Sequence, residues 1–441
     1  EADFDPELRQ AYAETGVIHI VAISGGHVAM LFLVVNGALF WLRGRRARVF
    51  KYLLGVALVW VYVLVAGAPP SAVRSAVMFS VIALAFLVRR EGSALNTLCA
   101  AAFALLCYEP MWLFAVGFQL SFAAVLSLII FYPPISRWVY SPWTIGNVLW
   151  RVVAASLAAQ VLTAPLSVYY FHNFPLWFLV ANVFAWVMLG ACGLIGGLLI
   201  LALSWAPPLA SLVATIVTWL MKGFNWIVLL LQKGNPASWS HLQISGAQMM
   251  WLYAVITCTA IFLFHKRHLA LYGALASLCV FLTLISTSRY TALKQDRLIV
   301  YAGTRHTFIE RIIGASHQPL FADTSWEAAR QTTKDTRIGL RAWRAASPAT
   351  QDVFRVAGKT VLLLGDTLTY ETHSPFPVDV LIVNRSLKGL SPSSLKTIFM
   401  PQLIVIGGGH RRWQAVAWRD SCAAIGQAFH SAGLDGGWAS D

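Results

Sequence analysis

The chain has 441 residues, 58% of them hydrophobic and only 12% charged, with a formal net charge of +14. A mean hydropathy of +0.65 excludes an ordinary soluble enzyme or binding module, which needs no such apolar excess. The six cysteines lack the close paired spacing of a zinc site or a disulfide framework and read as small apolar packing residues.

In chain order, residues 1–17 are expected to form an extracytoplasmic amphipathic lead-in helix. Its apolar stripe is Leu8, Ala11 and Tyr12, and Gly16 ends it. No signal peptide precedes the first apolar run and the first residue is Glu, so a longer parent chain is expected. Residues 18–288 read as a transmembrane domain of about ten spans, cut at charge, Pro and Gly. These fall near 18–42, 51–67, 72–88, 94–108, 111–131, 148–170, 175–204, 208–232, 249–264 and 269–287. Several are shorter than the ~20 residues of a straight spanning helix. Short, interrupted segments suit half-helices that line a site.

The most informative stretch runs from Val17 to Met78, with His19, Ser24-Gly25-Gly26-His27 and Arg74 inside otherwise apolar segments. Ionisable groups and broken backbone are costly in hydrocarbon unless they face a partner or a wet cavity. Arg74 follows Gly67-Ala68-Pro69-Pro70-Ser71 and is expected at the start of a half-helix, where the helix dipole and a guanidinium together favour an anion. The competing reading is an arginine at the membrane boundary that snorkels to water. His19 and His27 are eight residues apart, so on one helix they lie within about 80° of each other. With Ser24 they are expected to form a polar face of a channel.

Further along, Gly117-Phe118-Gln119-Leu120-Ser121-Phe122 places two polar residues beside two aromatics. Gln119 and Ser121 suit hydrogen bonds to a neighbouring helix. Alternatively, Phe118 and Phe122 offer stacking faces for unpaired bases.

Between Ile18 and Ser288 the only acids are Glu91 and Glu109, against fourteen Lys and Arg. The excess fits cytoplasmic loops under the positive-inside rule, or a path for polyphosphate. If Arg43 to Lys51 is cytoplasmic, alternation across ten spans places Arg89-Arg90 and His265-Lys266-Arg267-His268 there too. Both the amino terminus and the tail then lie outside the cytoplasm.

Residues 289–441 change texture to a strand-rich α/β domain. Strands are expected at 298–301, 308–313, 353–356, 360–364, 380–383 and 403–406, with a turn at Ala357-Gly358-Lys359. Helices are expected at 326–343, capped by Asp323-Thr324-Ser325, and at 393–398 and 415–432.

Ala22 to Val28, the Pro-Ser-x-x-Arg of Pro70 to Arg74, and Gly117 to Phe122 resemble the signature stretches of the ComEC competence family. These proteins are inner-membrane channels of bacterial DNA uptake that pass one strand into the cytoplasm. The resemblance implies a DNA path through His19, Ser24, His27, Arg74, Phe118, Gln119 and Ser121. It also implies single-stranded DNA, the lipid bilayer, a cytoplasmic motor and extracytoplasmic DNA-binding competence proteins as partners. The chain has no Walker-type loop of its own.

Many relatives carry a metallo-β-lactamase-like domain, and Leu362 to Asp366 and Val378 to Val383 resemble two of its strands. The family's His-His-Gly-Ser turn is replaced here by Asn384-Arg385-Ser386-Leu387-Lys388-Gly389, and its His-x-His-x-Asp-His cluster is absent. His306 with Glu310 is a poor substitute. A two-metal phosphodiesterase needs several such ligands. The tail therefore reads as a degenerate, extracytoplasmic lactamase-like domain with no catalytic residues, metal or cofactor. A membrane-tethered metallo-hydrolase and a small-solute transporter are the alternatives.

Overall fold

The computed structural model describes residues 5–21, 25–87, 93–188, 196–234, 242–302, 306–322, 326–347, 352–364, 376–384 and 391–440. The chain divides into two compact units, Glu1–Leu278 and Cys279–Asp441.

The first unit is helical. It comprises α1 (Pro6–Glu14), α2 (Ile18–Val21), α3 (Gly25–Ala38), α4 (Arg45–Val65), α5 (Pro70–Leu87) and α6 (Ala94–Tyr108). A 3-10 turn, Pro110–Phe114, leads to α7 (Val116–Ile135), α8 (Thr144–Phe171), α9 (Phe178–Met188), α10 (Gly197–Ala202), α11 (Pro207–Lys233) and α12 (Gly246–His265). Helix α13 (His268–Lys294) runs on into the second unit, so the boundary expected at 288/289 falls inside a continuous helix. Among the described residues seven helices are long and apolar enough to cross a membrane: α4, α5, α7, α8, α11, α12 and α13. Helix α6 is apolar but shorter.

Several boundaries differ from the sequence expectation. Helix α4 begins at Arg45, inside the basic cluster rather than after it. The expected half-helix at Arg74 is instead the continuous 18-residue α5. Pro70 starts that helix rather than interrupting it, because a proline at the first position forfeits no intrahelical hydrogen bond. The reversal comes just before, where Gly67 (φ +81°) and Ala68 (φ +50°) take left-handed conformations. The long apolar segment from Phe174 to Trp205 would have to tilt or bend around Gly190, Gly193 and Gly196-Gly197, and the first two of these lie outside the described residues.

Helix packing relies on small residues and buried polar ties. Val28 of α3, Val59 and Val63 of α4, and Ala72 and Ala76 of α5 form one cluster. Gly55 of α4 leaves room for Phe32, whose ring a Cβ there would meet at 2.8 Å. Between α7 and α8, Ser127 Oγ donates to Ala158 O and accepts from Leu162 N–H. Those two groups pair with each other in an uninterrupted helix, so the serine bridges the ladder from outside. Helix α1 is part of this unit: Ala11 and Tyr12 pack with Ala181, Phe224 and Val228, and Tyr12 Oη donates to Asn225 Oδ1 at 2.6 Å.

The second unit has two five-stranded sheets. One has the order β10-β1-β2-β3-β4, from β1 (Asp296–Val300), β2 (Phe308–Ile313), β3 (Ser316–Ala322), β4 (Arg344–Ala345) and β10 (Trp438–Ala439). The other is β5 (Val353–Val356), β6 (Lys359–Leu364), β7 (Val380–Val383), β8 (Leu403–Ile406) and β9 (Ala428–Ser431), in sequence order and parallel from β6 onward. The expected turn at 357–358 is the β5–β6 hairpin, with Ala357 and Gly358 both at positive φ.

One apolar cluster joins the inner faces, with Leu298, Val300 and Ile309 against Val361, Ile382 and Val405. The outer face of the second sheet is covered by α15 (Pro392–Phe399) and α16 (Arg412–Ala424), through Leu395, Phe399 and Cys422. Burial there raises the Cys422 thiol to about 11. The first sheet's outer face holds Ile299, Tyr301, Phe308 and Ile312. There Arg337 of α14 (Trp326–Gly339) meets Glu310 of β2. The layers thus run helix, sheet, sheet, helix.

The helix expected at 415–432 is a correction: α16 ends at Ala424 and residues 428–431 are strand β9 beside β8. The proposed cap at Asp323-Thr324-Ser325 lies outside the described residues.

Candidate functional site: a buried arginine between α5 and α7

Helical geometry fixes where Arg74 points. Ala72 and Ala76 face α3 and α4, and Arg74 is two residues from each, which is about 200° around α5. Its side chain therefore leaves that cluster and reaches α7. There its Nε donates to Ser121 Oγ at 3.3 Å. The guanidinium lies over Gly117, where a Cβ would be 3.0 Å from Nη2. Gly117 and Ser121 are four residues apart, one turn on the same face of α7.

Arg74 is 8% exposed. Among the described residues no carboxylate lies within ion-pair distance of it, and Ser121 supplies its hydrogen bond. Of the two acids in the apolar region, Glu109 caps the Met111 N–H, and Glu91 lies outside the described residues. A guanidinium has five N–H donors, and one of them is matched here by a neutral hydroxyl. Burial of a cation without a counter-charge is costly, and among the described residues no carboxylate offsets that cost at Arg74.

The other signature stretches meet the same helix. Gly25, at the start of α3, faces Ser75 Oγ, which a Cβ would touch at 3.5 Å. Ser75 Oγ itself donates to Ser71 O at 2.9 Å. Gly25 of the first stretch, the Pro-Ser-x-x-Arg stretch, and Gly117 and Ser121 of the third thus meet at the first two turns of α5.

The remaining expected site residues are placed as follows. His19 is exposed on α2, with Nδ1 3.1 Å from Gly16 O. His27 is half-buried on α3. Residues 22–24 between them, including Ser24, lie outside the described residues, and so does the continuity of the helix on which the expected angle rests. Phe118 is buried, its ring centroid 4.3 Å from that of Phe122, so the two aromatics face each other. Gln119 is a tie between elements: Nε2 donates to Leu113 O and Oε1 accepts from Tyr170 Oη of α8, both at 2.9 Å. Gly117 was not singled out from the sequence. Its signal was a glycine one helical turn before a serine, a pair that makes space and supplies a partner together.

In the second unit Glu310 is fully buried, and its carboxylate accepts from Arg337 through Nε and Nη2 and from Tyr301 Oη. Burial and the nearby carboxylate together push the Tyr301 phenol well above its usual range. Glu310 is therefore engaged by α14, while His306 is exposed beside Phe308. Among the described residues no three His, Cys, Asp or Glu side chains are grouped to hold a metal ion. Asp366, His373, Arg385 and Lys388 lie outside the described residues.

Residues 1–285 match the family described as Competence protein, and residues 298–438 match the ComEC C-terminal domain. ComE operon protein 3 of Bacillus subtilis is 28% identical over 282 residues, covering 62% of this chain and 34% of that protein. Competence protein ComA of Neisseria gonorrhoeae is 30% identical over 203 residues, covering 42% of this chain and 27% of that protein. Uncharacterized protein YcaI of Escherichia coli is 28% identical over 188 residues, 41% of this chain and 24% of that protein. The matched segments thus span about a quarter to a third of these relatives. No solved structure matches the chain.

Proposed function

The chain belongs to the competence protein family, and from that premise we propose that it passes single-stranded DNA across the bacterial inner membrane during natural transformation. The observation that carries this reading is Arg74, a buried guanidinium on a membrane-capable helix with no carboxylate partner among the described residues. A phosphodiester passing the α5–α7 junction would supply the missing charge, one phosphate after another. The amino-terminal end of α5 adds to the same field. His19, Ser24, His27, Phe118, Gln119 and Ser121 belong to the path or its immediate wall in this reading. Gln119 and Phe118 act by holding α7 in place, because both are already engaged within the bundle.

The α/β unit is read as a lactamase-like domain without nuclease activity, lying outside the cytoplasm. Its helix–sheet–sheet–helix layering and its match to the ComEC C-terminal domain support the fold part of this reading alone. Energy comes from a separate cytoplasmic motor, and extracytoplasmic DNA-binding competence proteins deliver the strand.

The test is transformation of a deletion strain complemented with Arg74 variants at matched membrane abundance. Arg74→Ala blocks uptake and Arg74→Lys partly restores it, since charge survives without the planar fork. Arg74→Glu is worse than Ala. Normal transformation by a well-expressed Arg74→Glu protein would remove the arginine from the path.

A further inference from the structure

Helices α7 and α12 both pack on α8 and leave a groove between them of about 480 Å³. Leu162 of α8 lines it from below, with Leu126 and Ile130 of α7 on one side and Ile256 and Ala260 of α12 on the other. The lining is almost entirely carbon. Along α12 it extends from Tyr253 to His265, which is about 18 Å at 1.5 Å per residue. That is close to one leaflet of a hydrocarbon core ~30 Å thick. Tyr253 is held by its hydroxyl, which donates to Leu162 O at 2.7 Å.

The His265 end is different in kind. Helix α12 stops there, Lys266 takes a left-handed cap conformation (φ 53°), and Arg267 and His268 follow, all four exposed. We propose that the groove holds one acyl chain of an anionic phospholipid, with the lipid phosphate against the Lys266–Arg267 turn. Charge complementarity and depth select this occupant. A second copy of the chain would bring no carboxylate within its membrane helices, because α2 to α13 contain no acid among the described residues. A phospholipid with an anionic headgroup brings both the chain that fits the groove and the charge that fits its end.

The experiment is native mass spectrometry of the delipidated full chain, titrated with dioleoyl phosphatidylglycerol or dioleoyl phosphatidylcholine. The acyl chains are identical; both lipids carry the phosphate, which choline's cation neutralises and glycerol leaves as a net negative charge. One retained lipid is expected, with phosphatidylglycerol preferred about 30-fold if two cationic side chains contribute about 1 kcal/mol each. The surface double variant Lys266→Ser with Arg267→Ser should bring the two lipids near parity. Ala260→Trp, which fills the groove, should lose both, while Leu212→Trp on the exposed face of α11 should lose neither. Equal wild-type affinity for the two headgroups would overturn the proposal. So would unchanged retention in Ala260→Trp, or a dimer that this variant splits without changing bound lipid.

Discussion

Arg74 Nε and Ser121 Oγ meet at 3.3 Å across 47 positions of sequence, and Gly117 leaves the space in which they do so. The arginine is thus held by α7, where both residues of its seat lie one turn apart.

Gly117→Ala puts a methyl at 3.0 Å from Arg74 Nη2 and forces the guanidinium to shift. Transformation should fall with membrane abundance unchanged, and Gly117→Leu should fall further. Ser121→Ala removes one hydrogen bond to a charged donor, worth about 1.5 kcal/mol at the weak end of such bonds, given its length. It should lower the thermal midpoint of the purified protein and impair transformation less than Arg74→Ala. If Gly117→Leu transforms at the wild-type rate, the seat has no part in transport.

The second prediction concerns the α/β unit. Arg337→Leu leaves the fully buried Glu310 carboxylate without its bidentate partner. Removing one side of a buried pair costs about 3–5 kcal/mol. Limited proteolysis should then cut the α/β unit while the membrane unit stays intact. The double variant Arg337→Leu with Glu310→Leu should recover much of the loss, since no lone charge remains. Equal sensitivity of the single and double variants would mean that the pair is not coupled.

Topology offers a third test. The basic clusters at Arg43 to Lys51 and at His265 to His268 are expected on the cytoplasmic side and the tail on the other. A reporter inserted at Arg45 or after Lys266 should be active inside, and one fused after Asp441 should be active outside. Cytoplasmic activity of the tail fusion would reject the ten-span alternation, and with it the idea that the tail meets DNA before the pore.

The fourth concerns metal. The full purified chain should bind no stoichiometric Zn²⁺ or Mn²⁺ and cleave no DNA, and Asp366→Ala should transform normally. Metal-dependent nicking lost in Asp366→Ala would make the tail a nuclease.

Much of this protein was legible locally. Apolar runs bounded by charge gave the membrane helices, because hydrocarbon selects on composition over a single segment. The strands with the most buried side chains, such as Leu298–Val300 and Leu381–Val383, were equally plain. The hairpin at Ala357-Gly358 followed from the need for positive φ. What sequence could not decide were the features set by contacts from afar. Strand β3 was not among the expected strands; it carries Pro319 beyond its short pairing with β4, and its register against β2 shifts between Ile309 and Glu310, which leaves Leu320 as the extra residue. The periodicity of 415–432 suited one helix, but pairing with β8 takes Ala428–Ser431 as a strand. The span expected at 72–88 is α5, begun by Pro70, and only its continuous 18 residues distinguish it from a half-helix. That α5 turns Arg74 toward Gly117 and Ser121 is likewise a property of packing. Helical period fixes which face a residue occupies, but only the neighbouring helix decides what that face meets.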